Sequence, residues 1–404
     1  MPVLPRFLLA ALLAGLSLAA APPLAGAQTP LELRLAKALA VPHVRLAQSG
    51  AAVLDLATGE PLFVHNGGSA FAPASNEKLP ITFAALSALG PSFRIETDVL
   101  GTGEQDGSIW RGDIVLKGYG DPTLSSADLG ALARGVRAAG ITDVTGAVVG
   151  DESWFDTRRT APGWKPSFFI DESPPLSALV VDRARYGRTV SHVPALAAAL
   201  LFRRALKQAG VAVAGGTKLG AAGEDASPLA SVDSPALASI VRTMDLESDN
   251  FVAEMLLKEL GALQTNLGTS AAGGAVVMRL LGDAGVPLDG VRIVDGSGLS
   301  YSDRLTANTL VALLQAMWSD PTLRPTLVRA LPVAGVSGTL ERRMRRGPAR
   351  GAVLAKTGTT SIASALSGFV RDRYVFAILQ NGRPLSYWWA RVAQDRFATI
   401  LASG

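Results

Sequence analysis

Three short patterns, each present once, constrain this 404-residue chain more than its composition does. Ser75 and Lys78 stand three apart in PASNEKLP. Ser248, Asp249 and Asn250 are contiguous. Lys356, Thr357 and Gly358 are followed by Thr359. Taken singly, each has an ordinary structural reading. A serine at a helix start caps it. Ser248 to Asn250 suits a helix kink or cap. Lys-Thr-Gly suits a strand ending where glycine permits a turn. What the three share is position: a helix N-terminus, an interruption between helices and a strand edge. A fold that joins them must bring those three edges to one point, although Ser248 follows Ser75 by 173 positions.

The residue types complement one another chemically. A serine hydroxyl is a weak nucleophile and needs a base beside it. Histidine usually serves, but His43, His65 and His192 are the only histidines, and none lies near a nucleophile motif. No Gly-x-Ser-x-Gly elbow occurs either. Lys78, one helical turn from Ser75, lies on the same face and can be the base once neutral. A lysine is neutral near pH 7 only when burial or a nearby cation lowers its pKa. Lys356 is expected to be that cation. Ser248 is suited to relay a proton to a leaving amine, and Asn250 to bind an amide and orient Lys78. Lys356, Thr357, Gly358 and Thr359 suit an anionic carboxylate. The backbone N–H groups of Ser75 and Thr359 are candidates for an oxyanion hole.

The rest of the chain fits an exported enzyme. Arg6 is followed by FLLAALLAGLSLAAAPPLAGA and then Gln28. A basic start, an apolar run and the small residues Ala25-Gly26-Ala27 predict a cleaved signal over 1–27. Phe7 to Ala21 is shorter than the roughly 20 residues of a membrane span, and no later stretch is long and apolar enough. Zero cysteines exclude disulfides, thiol nucleophiles and thiolate metal sites and suit an oxidising compartment. No ligand cluster points to a metal, and no cofactor is expected. Hydrophobic content of 48% with 18% charged residues provides a large core and excludes global disorder. The net charge of +4 suits anionic wall polymers better than nucleic acid in an exported protein. The one dense basic run, ERRMRRGPAR over 341–350, reads as a solvated helix end and loop.

Periodicity predicts helices over 31–40, from Ser75 to Leu89, and over 127–139, 193–209, 270–284, 306–318 and 386–402. A helical stretch over 235–263 is interrupted near Ser248. Pro80 predicts a bend just after Lys78, because proline removes a helical hydrogen bond. Strands are expected around the Thr58-Gly59 turn, over 95–120 and 144–150, in VAVAGGTKL, in GAVLAKTG and in the hairpin SGFVRDRYVFAILQNG. Residues 156–190 read as long loops. Helix-rich ends around a strand- and loop-rich middle suggest one domain inserted into another. The boundaries predicted are 28–92 with 232–404 for the outer domain and 93–231 for the insertion.

With these motifs in place, the chain resembles the low-molecular-mass class C penicillin-binding proteins, the D-alanyl-D-alanine carboxypeptidase/endopeptidase family, whose mark includes the same three patterns. The resemblance covers most of the mature chain. It rests on PASNEKL, GYGDPTL, GDESWFD, APGW, LESDNFVAEML, DGSGLSYSDRLT, GVSGTLERR and AKTGT. It implies an α/β (α+β) transpeptidase fold, β-lactamase-like, with an antiparallel sheet flanked by helices and a β-rich insertion. A third domain of larger members is expected to be reduced or absent. The implied catalytic set is Ser75, Lys78, Ser248, Asn250 and Lys356, with substrate contacts at Thr357, Gly358 and Thr359. Asp151 in GDESWFD matches an acidic family position that can face the free amine of a stem peptide, and equally suits a structural aspartate after a strand. Two departures bear on substrate choice. KPSFFIDESPPLSALVVDR follows APGW where relatives often carry Tyr-Gly-Ala-Pro. Tyr301 stands just after DGSGLS, where some relatives have an arginine that helps hold the stem's diamino acid. GYGDPTL and DGSGLS themselves read as turns.

The implied activity is a serine DD-peptidase of peptidoglycan stem peptides, acylated on Ser75 and also by β-lactams, in the periplasm or cell-wall space. A β-lactamase is the enzymatic alternative, although no Glu-x-x-Leu-Asn segment of the class A kind occurs. A wall-binding scaffold with a retired site is the non-enzymatic one. Nothing in the sequence fixes an oligomeric state.

Overall fold

A computed structural model describes residues 29–404, so the expected signal over 1–27 lies outside the described residues. The chain enters as helix α1 (Pro30–Leu39), capped by Thr29 and Glu32 in a reciprocal box. Strands β1 (Ser49–Asp55) and β2 (Pro61–His65) follow, then a 3₁₀ turn (Ala74–Glu77) leading into α2 (Lys78–Leu89). The middle of the chain supplies β3 (Glu96–Asp106), β4 (Ile109–Gly118), α3 (Ser126–Ala138), β5 (Asp143–Val144) and β6 (Val148–Asp151). It continues with the hairpin β7 (Arg185–Tyr186) and β8 (Thr189–Val190), α4 (Pro194–Gln208), β9 (Ala212–Val213), β10 (Thr217–Leu219) and β11 (Ser227–Asp233). Helices α5 (Leu237–Glu247), α6 (Asn250–Thr265), α7 (Ser270–Asp283), α8 (Ala307–Ser319) and α9 (Arg324–Ala330) come next. Strands β12 (Val353–Thr360), β13 (Ala363–Val370) and β14 (Tyr374–Asn381) and helix α10 (Tyr387–Ala402) close the chain.

Two large sheets result. The first has the order β12-β13-β14-β1-β2 and is antiparallel throughout. It therefore joins the two ends of the chain. Strands β13 and β14 are buried on both faces, which is why they read as near-continuous apolar runs. Successive side chains alternate between two cores, as period two demands. Val375, Ala377 and Leu379 of β14 pack with α2, α5, α6 and α8, whereas Tyr374, Phe376 and Ile378 pack with α1 and α10. The second sheet has the order β10-β6-β4-β3-β11, with β5 and β9 alongside, and is mixed. Its core is separate: Ile114, Leu116 and Val148 meet Leu132 and Val136 of α3 and Phe202 and Leu206 of α4.

Three local readings differ from expectation. Pro80 does not bend a helix. It is the third residue of α2, where a helical N–H has no partner to lose. The bend is the 3₁₀ turn before it. VAVAGGTKL splits into β9 and β10 at Gly215-Gly216, and β11 carried too little apolar alternation to be read at all. Within ERRMRRGPAR, Arg343 is not solvated. It is largely buried and pairs with Asp395 at 2.6 Å and with Gln394 at 3.1 Å, fastening this loop to α10.

Candidate active site

Ser75 stands in the 3₁₀ turn ahead of α2, inside a run whose other members from Phe71 to Leu86 are all buried. Ser75 alone in that run is partly exposed, so the turn lifts one hydroxyl out of a packed segment. The apolar residues that follow surround α2 on every side and anchor it in the core. Lys78, at the first position of α2, is completely buried. Its Nζ donates to Ser75 Oγ at 3.1 Å, Asn250 Oδ1 at 2.9 Å and the Ser297 carbonyl at 2.8 Å.

The second motif is a break between two helices. Ser248 ends α5 in the left-handed region, with φ 61° and ψ 40°. Asp249 then caps α6 by accepting from Val252 N–H, and is itself held by Arg183 at 2.7 Å. The break turns Ser248 and Asn250 toward Lys78 and β12. The third motif lies on β12, the edge strand of the first sheet. Lys356 Nζ donates to Ser248 Oγ at 2.8 Å. Asn76 Nδ2 donates to the Lys356 carbonyl at 3.0 Å and ties the nucleophile's turn to this strand. Gly358 is required by space: a Cβ there would lie 2.8 Å from Pro73 O and 3.1 Å from Ser75 N. The bare Cα lets the strand lie directly against the nucleophile. Ser75, Ser248, Asn250, Thr357 and Thr359 line one cleft of about 460 Å³.

Burial sets the electrostatics. Lys78 is lowered to about 8, first by loss of hydration, while Asp295 and Glu254 pull it back upward. Lys356 is lowered to about 7, first by burial and then by the charge of Lys78. Of the two expected causes of a lowered Lys78, burial is the one found, and Lys356 is not among the largest. Desolvation dominates, and the like-charge effect falls on Lys356. Nearby acids move the other way. Glu254 is raised to about 8 by burial and Asp295, and Glu77 is raised well above its ordinary value for the same reasons.

Asp151 does not line the cleft. It ends β6 in the second sheet, is fully buried, and accepts from Ser153 N–H and Ala222 N–H at 2.8 Å each. It is a structural aspartate that closes two turns. Other residues reach the site that motif spacing did not reveal. DGSGLS is no mere turn: its Ser297 carbonyl holds Lys78. Glu254 accepts from Gly296 and Ser297 N–H at 3.1 and 2.9 Å, and Asp295 from Gly298 and Ser300 N–H at 2.6 and 2.7 Å. The loop-rich stretch 156–190 also folds over the site. Trp164 Nε1 donates to Asp295 at 2.9 Å, Lys165 reaches the Tyr301 hydroxyl at 2.7 Å, and the Glu172 carbonyl accepts from Asn250 at 3.2 Å. LESDNFVAEML and DGSGLS held Glu254 and Ser297 in view. The loop residues gave no periodic signal.

Known proteins share this architecture. A D-alanyl-D-alanine carboxypeptidase from Actinomadura sp. is 34% identical over 453 residues, covering 89% of this chain and 82% of that protein. Carboxypeptidase DacB of Mycolicibacterium smegmatis is 35% identical over 403 residues, covering 92% and 84%. Penicillin binding protein 4 from Haemophilus influenzae superposes with a TM-score of 0.81 at 20% identity, over 93% of this chain and 99% of that one. The penicillin-binding, β-lactamase-like fold is thus the one observed. The profile of the D-Ala-D-Ala carboxypeptidase 3 (S13) family matches residues 31–193 and 186–403. The chain belongs to that family.

Proposed function

We propose that this protein is an exported serine DD-peptidase that cleaves the D-Ala–D-Ala bond of peptidoglycan stem peptides through an acyl-enzyme on Ser75. The observation that carries this reading is the contact of Lys78 with Ser75, Asn250 and the Ser297 carbonyl in a site without water access to the amine. A neutral Lys78 accepts the Ser75 proton as Oγ attacks the carbonyl. The oxyanion is met by the N–H groups of Ser75 and Thr359, which Gly358 allows to converge. The proton passes by way of Ser248 to the leaving amine, the C–N bond breaks, and D-alanine departs. Water then hydrolyses the ester and frees Ser75. Lys356, Thr357 and Thr359 receive the terminal carboxylate, and Asn250 receives a substrate amide. Cleavage of a cross-link is the same acyl transfer with a larger leaving group. A β-lactam enters by the same route and stops at the ester.

Residues 28–92 and 232–404 act as the catalytic domain, 93–231 as the insertion and 1–27 as the export signal. The site of action is the wall space. Release of D-alanine from a soluble stem pentapeptide tests the reading. Wild type is expected to release it and Ser75→Ala is not. A folded wild type that releases none contradicts the proposal and favours a wall-binding scaffold.

A further inference from the structure

The DD-peptidase reading uses only part of the charge lining the cleft. Glu172 lies against Asn250. Arg342, Arg343 and Arg391 also line it. Arg343 is committed to Asp395 and Gln394. Arg342 and Arg391 are exposed, and neither forms an ion pair among the described residues.

The direction of the substrate follows from β12. Thr357 and Thr359 face the cleft on either side of Gly358. If Thr359 N–H meets the oxyanion, the leaving group extends from there past Thr357. Thr357 Oγ1 donates to Thr339 Oγ1 at 2.7 Å, so the segment after Thr339 borders that end. Arg342 is three residues on, and Arg391 faces the same space from α10. A leaving D-alanine has a single carboxylate, which Lys356, Thr357 and Thr359 already receive. The two arginines remain without an anion.

We propose that Arg342 and Arg391 form a subsite for anionic leaving groups, those bearing carboxylates beyond the one next to the scissile bond. The amine-bearing strand of a wall cross-link, itself a stem peptide, has this chemistry. The inference rests on the DD-peptidase reading and names which of its substrates this cleft favours. The reaction is unchanged: the D-Ala–amine bond breaks, the amine of the released strand gains the serine's proton, and water resolves the ester. The arginines act on capture, so their effect lies in KM and weakens with salt.

The test uses the purified mature protein and three substrates with one acyl part: a pentapeptide releasing D-alanine, a cross-linked dimer, and that dimer amidated on the leaving strand. Arg342→Gln with Arg391→Gln is expected to lower kcat/KM for the free-acid dimer about ten-fold, the yield of two rim charges together. D-alanine release, amidated-dimer cleavage and β-lactam acylation are expected to change by less than about two-fold. Equal losses on the free-acid and amidated dimers, or no loss on either, overturn the subsite. Failure of wild type on all three substrates, with the fold intact, overturns the DD-peptidase reading itself and the subsite with it.

Discussion

Gly358→Ala isolates the contact on which the site's geometry depends. The backbone of Gly358 is outside the left-handed region, so alanine is allowed there locally. The obstacle is steric. The new methyl would lie 2.8 Å from Pro73 O and 3.1 Å from both Ala74 Cβ and Ser75 N. None of these is the end of a flexible side chain. Restoring ordinary contact separates β12 from the nucleophile's turn by roughly half an ångström. Overpacking of this kind costs about 1–3 kcal/mol of stability, which a core of this size survives. The chemistry suffers more, because Thr359 N–H moves with the strand. Removing an oxyanion donor costs about 10² to 10³ in rate, so a displaced donor is expected to slow acylation about 10 to 100-fold. The assay is the second-order rate of labelling by a fluorescent penicillin, with urea unfolding of the same sample to show that it is folded. A folded variant that acylates within about two-fold of wild type refutes the idea that Gly358 sets the distance.

The lysines predict a pH profile. Lys78 must be neutral to accept a proton, so acylation is expected to rise as pH passes from about 7 to about 8, the values to which Lys356 and Lys78 are lowered. A flat rate between about pH 6 and 9 contradicts that assignment. Stability has its own dependence. Below their folded pKa values both lysines are charged in the folded and unfolded chain alike, and the burial penalty is fully present. It is relieved as pH rises toward 10.5, the unfolded value. Glu254 and Glu259, raised to about 8, act oppositely: they favour folding at low pH and lose that contribution as pH rises from 4.5 to about 8. Urea midpoints are expected to pass through a minimum near pH 8, and a maximum there would contradict the assignment. Asp151→Ala removes the acceptor of the Ser153 and Ala222 N–H groups, both part-buried, and is expected to cost about 1 kcal/mol each in unfolding experiments. Penicillin labelling of the folded variant is expected to match wild type, and a selective loss of labelling would return Asp151 to the site.

Much of this site was legible because its chemistry is carried by short local patterns. Ser75 and Lys78 share a face by helical geometry alone, and Ser248 marks its own helix break. The hairpin SGFVRDRYVFAILQNG was legible too, as apolar runs on strands buried on both faces. What escaped reading was built from long-range packing. The loop from 156 to 190 has no period, and only tertiary structure shows Trp164 reaching Asp295 and Glu172 reaching Asn250. The basic run over 341–350 is solvated as expected at Arg342, Arg345, Arg346 and Arg350, and only Arg343 escaped reading, because its partner lies 52 residues on in α10. Asp151 stayed open for a related reason. Its type suited either a ligand or a turn, and only the N–H groups of Ser153 and Ala222 decide between them.

The central claim is that Ser75 is the nucleophile. Its most direct test is to treat the folded protein with penicillin, digest it and locate the adduct by mass spectrometry. The account predicts one covalent penicilloyl group, on the peptide containing Ser75, and none in Ser75→Ala. An adduct on another serine, or no adduct on a folded wild type, contradicts it.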